Sequence, residues 1–170
     1  MRKFSYLNTV ILVLGSNVGD RLSHLKEACA SLHNLLPLQF STSPIFETEP
    51  WGVRQQWGYY NMAILAKTPY GPFQLLNILK RIERKFGRTS KGDYRPRTLD
   101  IDIALMGNLV LNATHLTIPH PRMHERRFVL EPIHHISSST MHPIFKKNIA
   151  DLLKECKDNG KIKLLQNLMS

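Results

Sequence analysis

Arg95-Pro96-Arg97-Thr98-Leu99-Asp100-Ile101-Asp102-Ile103-Ala104-Leu105 is the stretch that decides the fold, because apolar and acidic residues alternate through it with a period of two. That period marks a half-buried strand, whose successive side chains point to opposite faces. Leu99, Ile101, Ile103 and Leu105 are expected on one face, committed to a core, with Asp100 and Asp102 together on the other. Two residues apart on a strand, the α-carbons of the acids lie ~6.5 Å apart. Unit charges about 6 Å apart repel by ~3 kcal/mol at an effective dielectric of about 20, so something cationic should offset them. Two divalent ions ~3.5–4 Å apart, holding a polyphosphate, would do so and would support in-line phosphoryl chemistry. A solvated strand face whose acids pair with arginines such as Arg97 is the competing reading.

The chain just before the strand bears on that choice. Residues 87–97 carry two glycines, a proline and the positive charges of Arg88, Lys91, Arg95 and Arg97 against Asp93 alone. A mobile lid over a polyphosphate needs such a composition, able to bend and basic enough to stabilise charge on closing. A merely solvated loop is the alternative, and direct attachment to the acidic strand favours the lid.

Further upstream, residues 10–14 are continuously apolar and end at Gly15, as in a strand buried on both faces. Leu22, Leu25, Cys29, Leu32 and Leu36 recur in steps of three and four, the stripe of an amphipathic helix that Pro37 ends. Residues 39–48 have strand character interrupted by Pro44, and residues 49–58 form a loop with both tryptophans. Residues 59–67 read as a strand with Tyr59, Asn61, Ala63 and Leu65 on one face. A tyrosine beside an amide suits stacking on a flat heterocycle and reading its polar edge; a core tyrosine and a backbone-bonded asparagine are the simpler account from these residues alone. Pro72 opens a second helix with Leu75, Leu79, Ile82 and Phe86 buried, and Gly87 stops it. Glu83, at the border of that stripe, is expected to pair with Lys80, one turn back.

Downstream, Gly107-Asn108 suggests a hairpin between residues 104–106 and 109–111. Residues 118–130 enter extended through Pro119 and Pro121 and then coil into a helix. His120 and His124 have the spacing of zinc ligands on a helix, which Pro121 disfavours. His134-His135 and Ser137-Ser138-Ser139 read as a surface connection, followed by a helix burying Ile149, Leu152, Leu153 and Cys156 and then a basic tail. The order strand, helix, strand, strand, helix, strand plus an extension is the split βαβ pattern of a ferredoxin-like α+β sandwich (βαββαβ), with one sheet face free for a site.

At 170 residues and 42% hydrophobic, the chain is expected to be a single domain, residues 1–170. A formal charge of +10 favours anionic partners. Cys29 and Cys156 fit neither a metal nor a redox spacing, so a reduced, cytoplasmic protein is the simplest inference. The apolar run near the start is too short for a secretion signal, and no segment is long enough to span a bilayer, so no membrane partner is expected.

These residues resemble the 6-hydroxymethyl-7,8-dihydropterin pyrophosphokinases of folate biosynthesis. The resemblance runs from Leu14-Gly15-Ser16-Asn17 through Glu47-Thr48-Glu49-Pro50, Gln56, Asn61, Arg81-Ile82-Glu83, Gly87-Arg88 and Pro96-Arg97-Thr98-Leu99-Asp100-Ile101-Asp102 to Pro119-His120, Arg126 and Phe128. It implies transfer of an intact pyrophosphoryl group from ATP to the hydroxymethyl group of the dihydropterin, with release of AMP. Two Mg2+ ions would be held by Asp100 and Asp102, with Asp102 a proton acceptor. Arg88 and Arg97 match catalytic positions on or beside the closing loop, and Glu83, Arg88, His120 and Arg126 match ATP-site positions. The pterin would lie between Tyr59 and Phe128, with Asn61 on its edge and Thr48, Glu49 and Trp51 lining the pocket. RNA-recognition domains share the sandwich and the basic charge, but their stacking motif is missing and an acidic pair would repel a phosphate backbone, so no nucleic-acid partner is expected. Nothing in the sequence assigns an oligomeric state.

Overall fold

The apolar run at residues 10–14 lies within strand β1 (Asn8–Ser16), which is buried on both faces because helices cover the sheet from both sides. The computed structural model describes residues 7–49, 58–87 and 98–166. Along them run β1, α1 (Arg21–Leu35), β2 (Leu38–Thr42), β3 (Ile45–Thr48), β4 (Tyr59–Thr68), α2 (Pro72–Lys85), β5 (Asp100–Met106), β6 (Leu111–Ala113) and β7 (Leu116–Ile118). A 3-10 turn (Met123–Glu125), α3 (Arg127–Ser137), α4 (Ile149–Glu155) and β8 (Ile162–Gln166) follow. The main sheet is antiparallel, in the order β5-β1-β4-β3-β8 with β2 also paired to β4, so the protein is α+β.

Helix α1 starts where Asp20 accepts the Ser23 N–H at 3.0 Å, satisfying one of the donors that a helix start leaves over. It buries Leu25, Ala28 and Leu32, with Leu22 and Cys29 at the margin. Helix α2 starts at Pro72, buries Leu75, Leu79 and Ile82, and gives way to Gly87 at φ +82°, a conformation that glycine adopts without strain. Both helices pack on Leu12, Leu14, Met62, Ile64, Ile101 and Ile103. Each such fully buried side chain stabilises the fold by roughly 1.5–3 kcal/mol.

The interruption expected at Pro44 is present, splitting the stretch into β2 and β3, and Ser43 Oγ accepts the Ala63 N–H at 2.8 Å in the gap. Several expectations are corrected elsewhere. Leu105 does not share a face with Ile101 and Ile103. Ile11 pairs with Leu105 while Leu12 pairs with Ile103, so Ala104 is an extra residue and Leu105 turns to the opposite face, beside Ile11. That face is not open along its length either, since α3 and α4 cover Ile11, Val13, Ala63 and Leu105 with Val129, Leu130, Ile133, Ile149 and Leu152. The hairpin is β6 with β7, not residues 104–106 with 109–111. His134 and His135 belong to the last turn of α3, where His135 packs on Phe46 with ring centroids 5.1 Å apart. Within the basic tail, β8 pairs with β3 at the sheet edge.

Candidate active site

Beyond the rows that α3 and α4 bury, the same sheet face continues into a part-exposed row. Gly15 lies opposite Asp100 on one side and Asn61 on the other, and Asn61 lies opposite Phe46. Asp102 sits one row deeper, opposite Val13, on the same face as Asp100 because the strand period returns every second residue. Gly15, Tyr59, Asp100 and Asp102 are only partly buried, whereas Val13 and Ala63 are closed off. Burial first, and then the neighbouring Asp100 carboxylate, push Asp102 up to about 7, against the pull of the Lys80 and Arg126 charges. Two carboxylates fixed on a rigid strand are the oxygen donors that a hard divalent cation prefers.

Glu83 reaches this pair from behind. It projects from the last turn of α2, is fully buried, and uses both oxygens: Oε1 accepts the Ile101 N–H at 2.9 Å and Oε2 accepts from Lys80 Nζ at 2.8 Å. Ile101 is the residue between the two aspartates and β5 is an edge strand of the main sheet, so Glu83 covers an edge N–H and fixes the backbone that aims both acids. Burial raises the Glu83 carboxyl most, the Lys80 and Ile101 hydrogen bonds lower it, and Asp100 raises it again. The expected Lys80 pair is present, and the carboxylate faces inward.

His120 donates its backbone N–H to the Ala104 carbonyl at 2.9 Å, and its Nδ1 accepts the Arg122 N–H at 3.3 Å. Burial, then the charges of Arg126 and Arg122, depress it to about 4, so it is a neutral imidazole at physiological pH. The Arg126 guanidinium lies 5.6 Å from the Phe128 ring centroid, a cation–π contact that joins the charged group to the aromatic one.

The flat side of the site is built around Gly15. A Cβ there would stand 3.0 Å from Asn61 Oδ1 and 3.9 Å from Tyr59 Cδ1, so the missing side chain lets the amide and the ring settle over the sheet. Asn61 is buried and its Nδ2 donates to Thr48 Oγ1 at 2.7 Å, which fixes the amide's orientation. Thr48, Glu49 and Phe128 line one small cavity of about 70 Å³ together with Asp158 and Lys161.

The structure therefore brings Asp100, Asp102, Glu83, His120 and Arg126 into one electrostatic group, and Thr48, Tyr59 and Asn61 into an adjoining polar and aromatic one. Trp51, Arg88 and Arg97 lie outside the described residues, as do the tryptophan-bearing stretch 50–57 and the basic stretch 88–97. Sequence reasoning missed three contributions. Gly15 matters as an absent side chain and Arg122 as a charge beside His120, while the reach of the expected Lys80 charge to Asp102 as well as to Glu83 was not read. Lys80 and Arg122 lie a few residues from Glu83 and His120 and so left a signal in the sequence, whereas the use of Gly15 depends on the facing strand.

Comparison with known proteins identifies a family. Residues 11–138 match the model of the 7,8-dihydro-6-hydroxymethylpterin-pyrophosphokinase family. The 2-amino-4-hydroxy-6-hydroxymethyldihydropteridine pyrophosphokinase of Bacillus subtilis is 42% identical over 127 residues, covering 74% of this chain and 76% of that protein. The protein of the same name from Aquifex aeolicus is 36% identical over 147 residues, covering 86% and 91% respectively. The crystal structure of wild-type Plasmodium falciparum HPPK-DHPS with pteroate superposes with a TM-score of 0.74 at 14% identity. There 92% of this chain is covered, but the chain spans only 48% of that protein's length, and the likeness is one of fold.

Proposed function

The chain belongs to the 7,8-dihydro-6-hydroxymethylpterin-pyrophosphokinase family, enzymes that transfer a pyrophosphoryl group from ATP to the hydroxymethyldihydropterin in folate biosynthesis, and we propose how its residues divide that work. The hydroxymethyl oxygen attacks the β-phosphorus of ATP, the bond from that phosphorus to the bridging oxygen breaks, and AMP leaves. The observation that carries this assignment is the row Asp100–Gly15–Asn61, which sets a carboxylate pair and a polar, aromatic slot side by side on one sheet face.

Asp100 and Asp102 fit a divalent ion, being paired hard donors beside a residue with no side chain. Two Mg2+ ions held there would neutralise the phosphate charge and lower the pKa of the substrate hydroxyl. Asp102 is assigned as acceptor of the hydroxyl proton on the resemblance alone. Arg126 and neutral His120 serve the nucleotide side, one as a charge and the other as an uncharged donor or acceptor. Glu83 acts on that side through Ile101, by holding the strand. Arg88 and Arg97 are assigned to the phosphates on the resemblance alone.

For the pterin, the rings of Tyr59 and Phe128 supply the faces, while Asn61, oriented by Thr48, reads the hydrogen-bonding edge. Thr48 and Glu49 add to the lining, and Trp51 is assigned to it on the resemblance alone. Catalysis is then chiefly positioning and charge neutralisation. The order β5-β1-β4-β3 supports a ferredoxin-like reading of the core, with the elements after β5 as an extension. Two apolar clusters on opposite faces of one sheet support a single domain. Dependence on ATP and the free thiols of Cys29 and Cys156 support a cytoplasmic setting.

Incubation with ATP, Mg2+ and 6-hydroxymethyl-7,8-dihydropterin should yield AMP and the pterin pyrophosphate. Formation of ADP with a pterin monophosphate would overturn the assigned bond cleavage.

A further inference from the structure

Helix α3 starts without a side-chain cap from its own N-cap residue. Arg126 occupies that position; its carbonyl accepts the Val129 N–H at 3.1 Å, but its side chain has no acceptor for the Arg127 N–H. The acceptor comes from the far end of the chain: Asp158 Oδ2 receives the Arg127 N–H at 3.0 Å, while its Oδ1 receives the Gly160 N–H at 3.0 Å. A carboxylate at a helix N-terminus is also favoured by the helix dipole. Just beyond, the chain is tied to the opposite wall. Glu49 N–H donates to the Lys161 carbonyl at 3.3 Å, Lys161 Nζ lies 3.6 Å from Glu49 Oε1, and Ile162 pairs with Thr48. The segment 158–162 thus bridges the element that carries Thr48 and Glu49 to the one that carries Phe128, and it lines the cavity between them. It lies beyond residue 138, where the match to the family model ends.

We propose that Asp158 is a positioning residue for the pterin slot, holding the first turn of α3, and Phe128 with it, at its working separation from Thr48. This rests on the reading of Thr48 and Phe128 as walls of that slot. Without the Asp158 acceptor the first turn frays, the fraction of molecules with a formed slot falls, and apparent pterin affinity falls by the same factor. One helix cap of ordinary strength sets that factor at roughly fivefold. Nucleotide affinity should fall less, because Arg126, which joins the 3-10 turn to α3, keeps its own N–H bond to the Met123 carbonyl at 3.3 Å on the side away from Asp158.

The test titrates 6-hydroxymethyl-7,8-dihydropterin into the full chain with Mg2+ and a non-hydrolysable ATP analogue, and separately the analogue alone, by calorimetry. Asp158→Ala should weaken the pterin roughly fivefold and leave the analogue within about twofold, and Asp158→Asn, which keeps an acceptor, should recover most of the loss. Phe128→Ala and Asn61→Ala report on the slot itself. If they weaken the pterin while Asp158→Ala binds it normally, the positioning role is overturned and the slot stands. If neither of them changes pterin binding, the slot reading fails and the proposal falls with it. Equal weakening of pterin and analogue in Asp158→Ala would also overturn the proposal, as a general loss of structure. Should Asp158→Ala not fold, Asp158→Glu carries the same test, since its longer arm displaces the acceptor; normal pterin binding would then overturn the role.

Discussion

Deleting the Glu83 carboxylate should cost the fold about 3 kcal/mol, a figure that can be assembled from its individual contacts. In Glu83→Ala the Ile101 N–H loses its acceptor beneath α2, which costs ~1–3 kcal/mol for a buried donor left unsatisfied. Lys80 keeps 26% of its side chain exposed and can turn to water, so loss of its ion pair adds only ~0–1 kcal/mol. The space vacated by a fully buried side chain adds ~1 kcal/mol more. For a chain of this length the total lowers the melting temperature by roughly 9 °C. Glu83→Gln keeps an oxygen for Ile101 but turns an amide donor toward Lys80, so it should lose only ~1 kcal/mol. Urea denaturation of both variants, followed by circular dichroism and fitted to a two-state transition, gives the stabilities; titration with an ATP analogue gives nucleotide affinity. A loss below about 1 kcal/mol in Glu83→Ala, together with a large drop in nucleotide affinity, would refute the reasoning and make Glu83 a direct nucleotide contact.

Gly15→Ala should keep its fold yet weaken pterin binding about tenfold, because the new Cβ, 3.0 Å from Asn61 Oδ1, pushes an amide that Thr48 holds in place. Unchanged affinity by calorimetry would mean that Asn61 does not read the substrate. Asp102→Ala should lose at least ~3 kcal/mol of transition-state stabilisation in a steady-state AMP-release assay while its circular dichroism stays native. Near-normal turnover would remove it from the mechanism. His142 is buried and its Nδ1 accepts the N–H groups of Ile144 and Phe145, both at 3.3 Å, so burial, with His124 nearby, lowers its pKa. The native state thus resists a proton that the unfolded chain accepts, and stability should fall as pH drops below the ordinary histidine value of about 6.5. In denaturation measured across that range, His142→Asn should flatten the slope; an unaltered slope would place the linkage elsewhere.

The sequence by itself determined whatever depends on neighbours along the chain. The period of two through Asp100 and Asp102 put both acids on one strand face, and the three-and-four spacing of Leu25 and Leu32, or of Leu75, Leu79 and Ile82, set the buried sides of α1 and α2. Motif spacing then led from those elements to the family and its reaction. Only the tertiary structure decided which strand edge meets which partner. The extra residue at Ala104 exists because β5 must register with β1, and it sends Leu105 to the face where Ile11 and α3 wait. In the same way β6 turns to β7 rather than to β5, and β8 closes the edge of β3. Glu83 turns inward to an N–H on another element, and Asp158 caps a helix 31 residues before it in the chain. The reason is one of range: periodicity and capping box patterns are written in side chains a few positions apart. Pairing register, edge coverage and caps supplied from elsewhere depend on which distant backbone groups packing leaves unsatisfied.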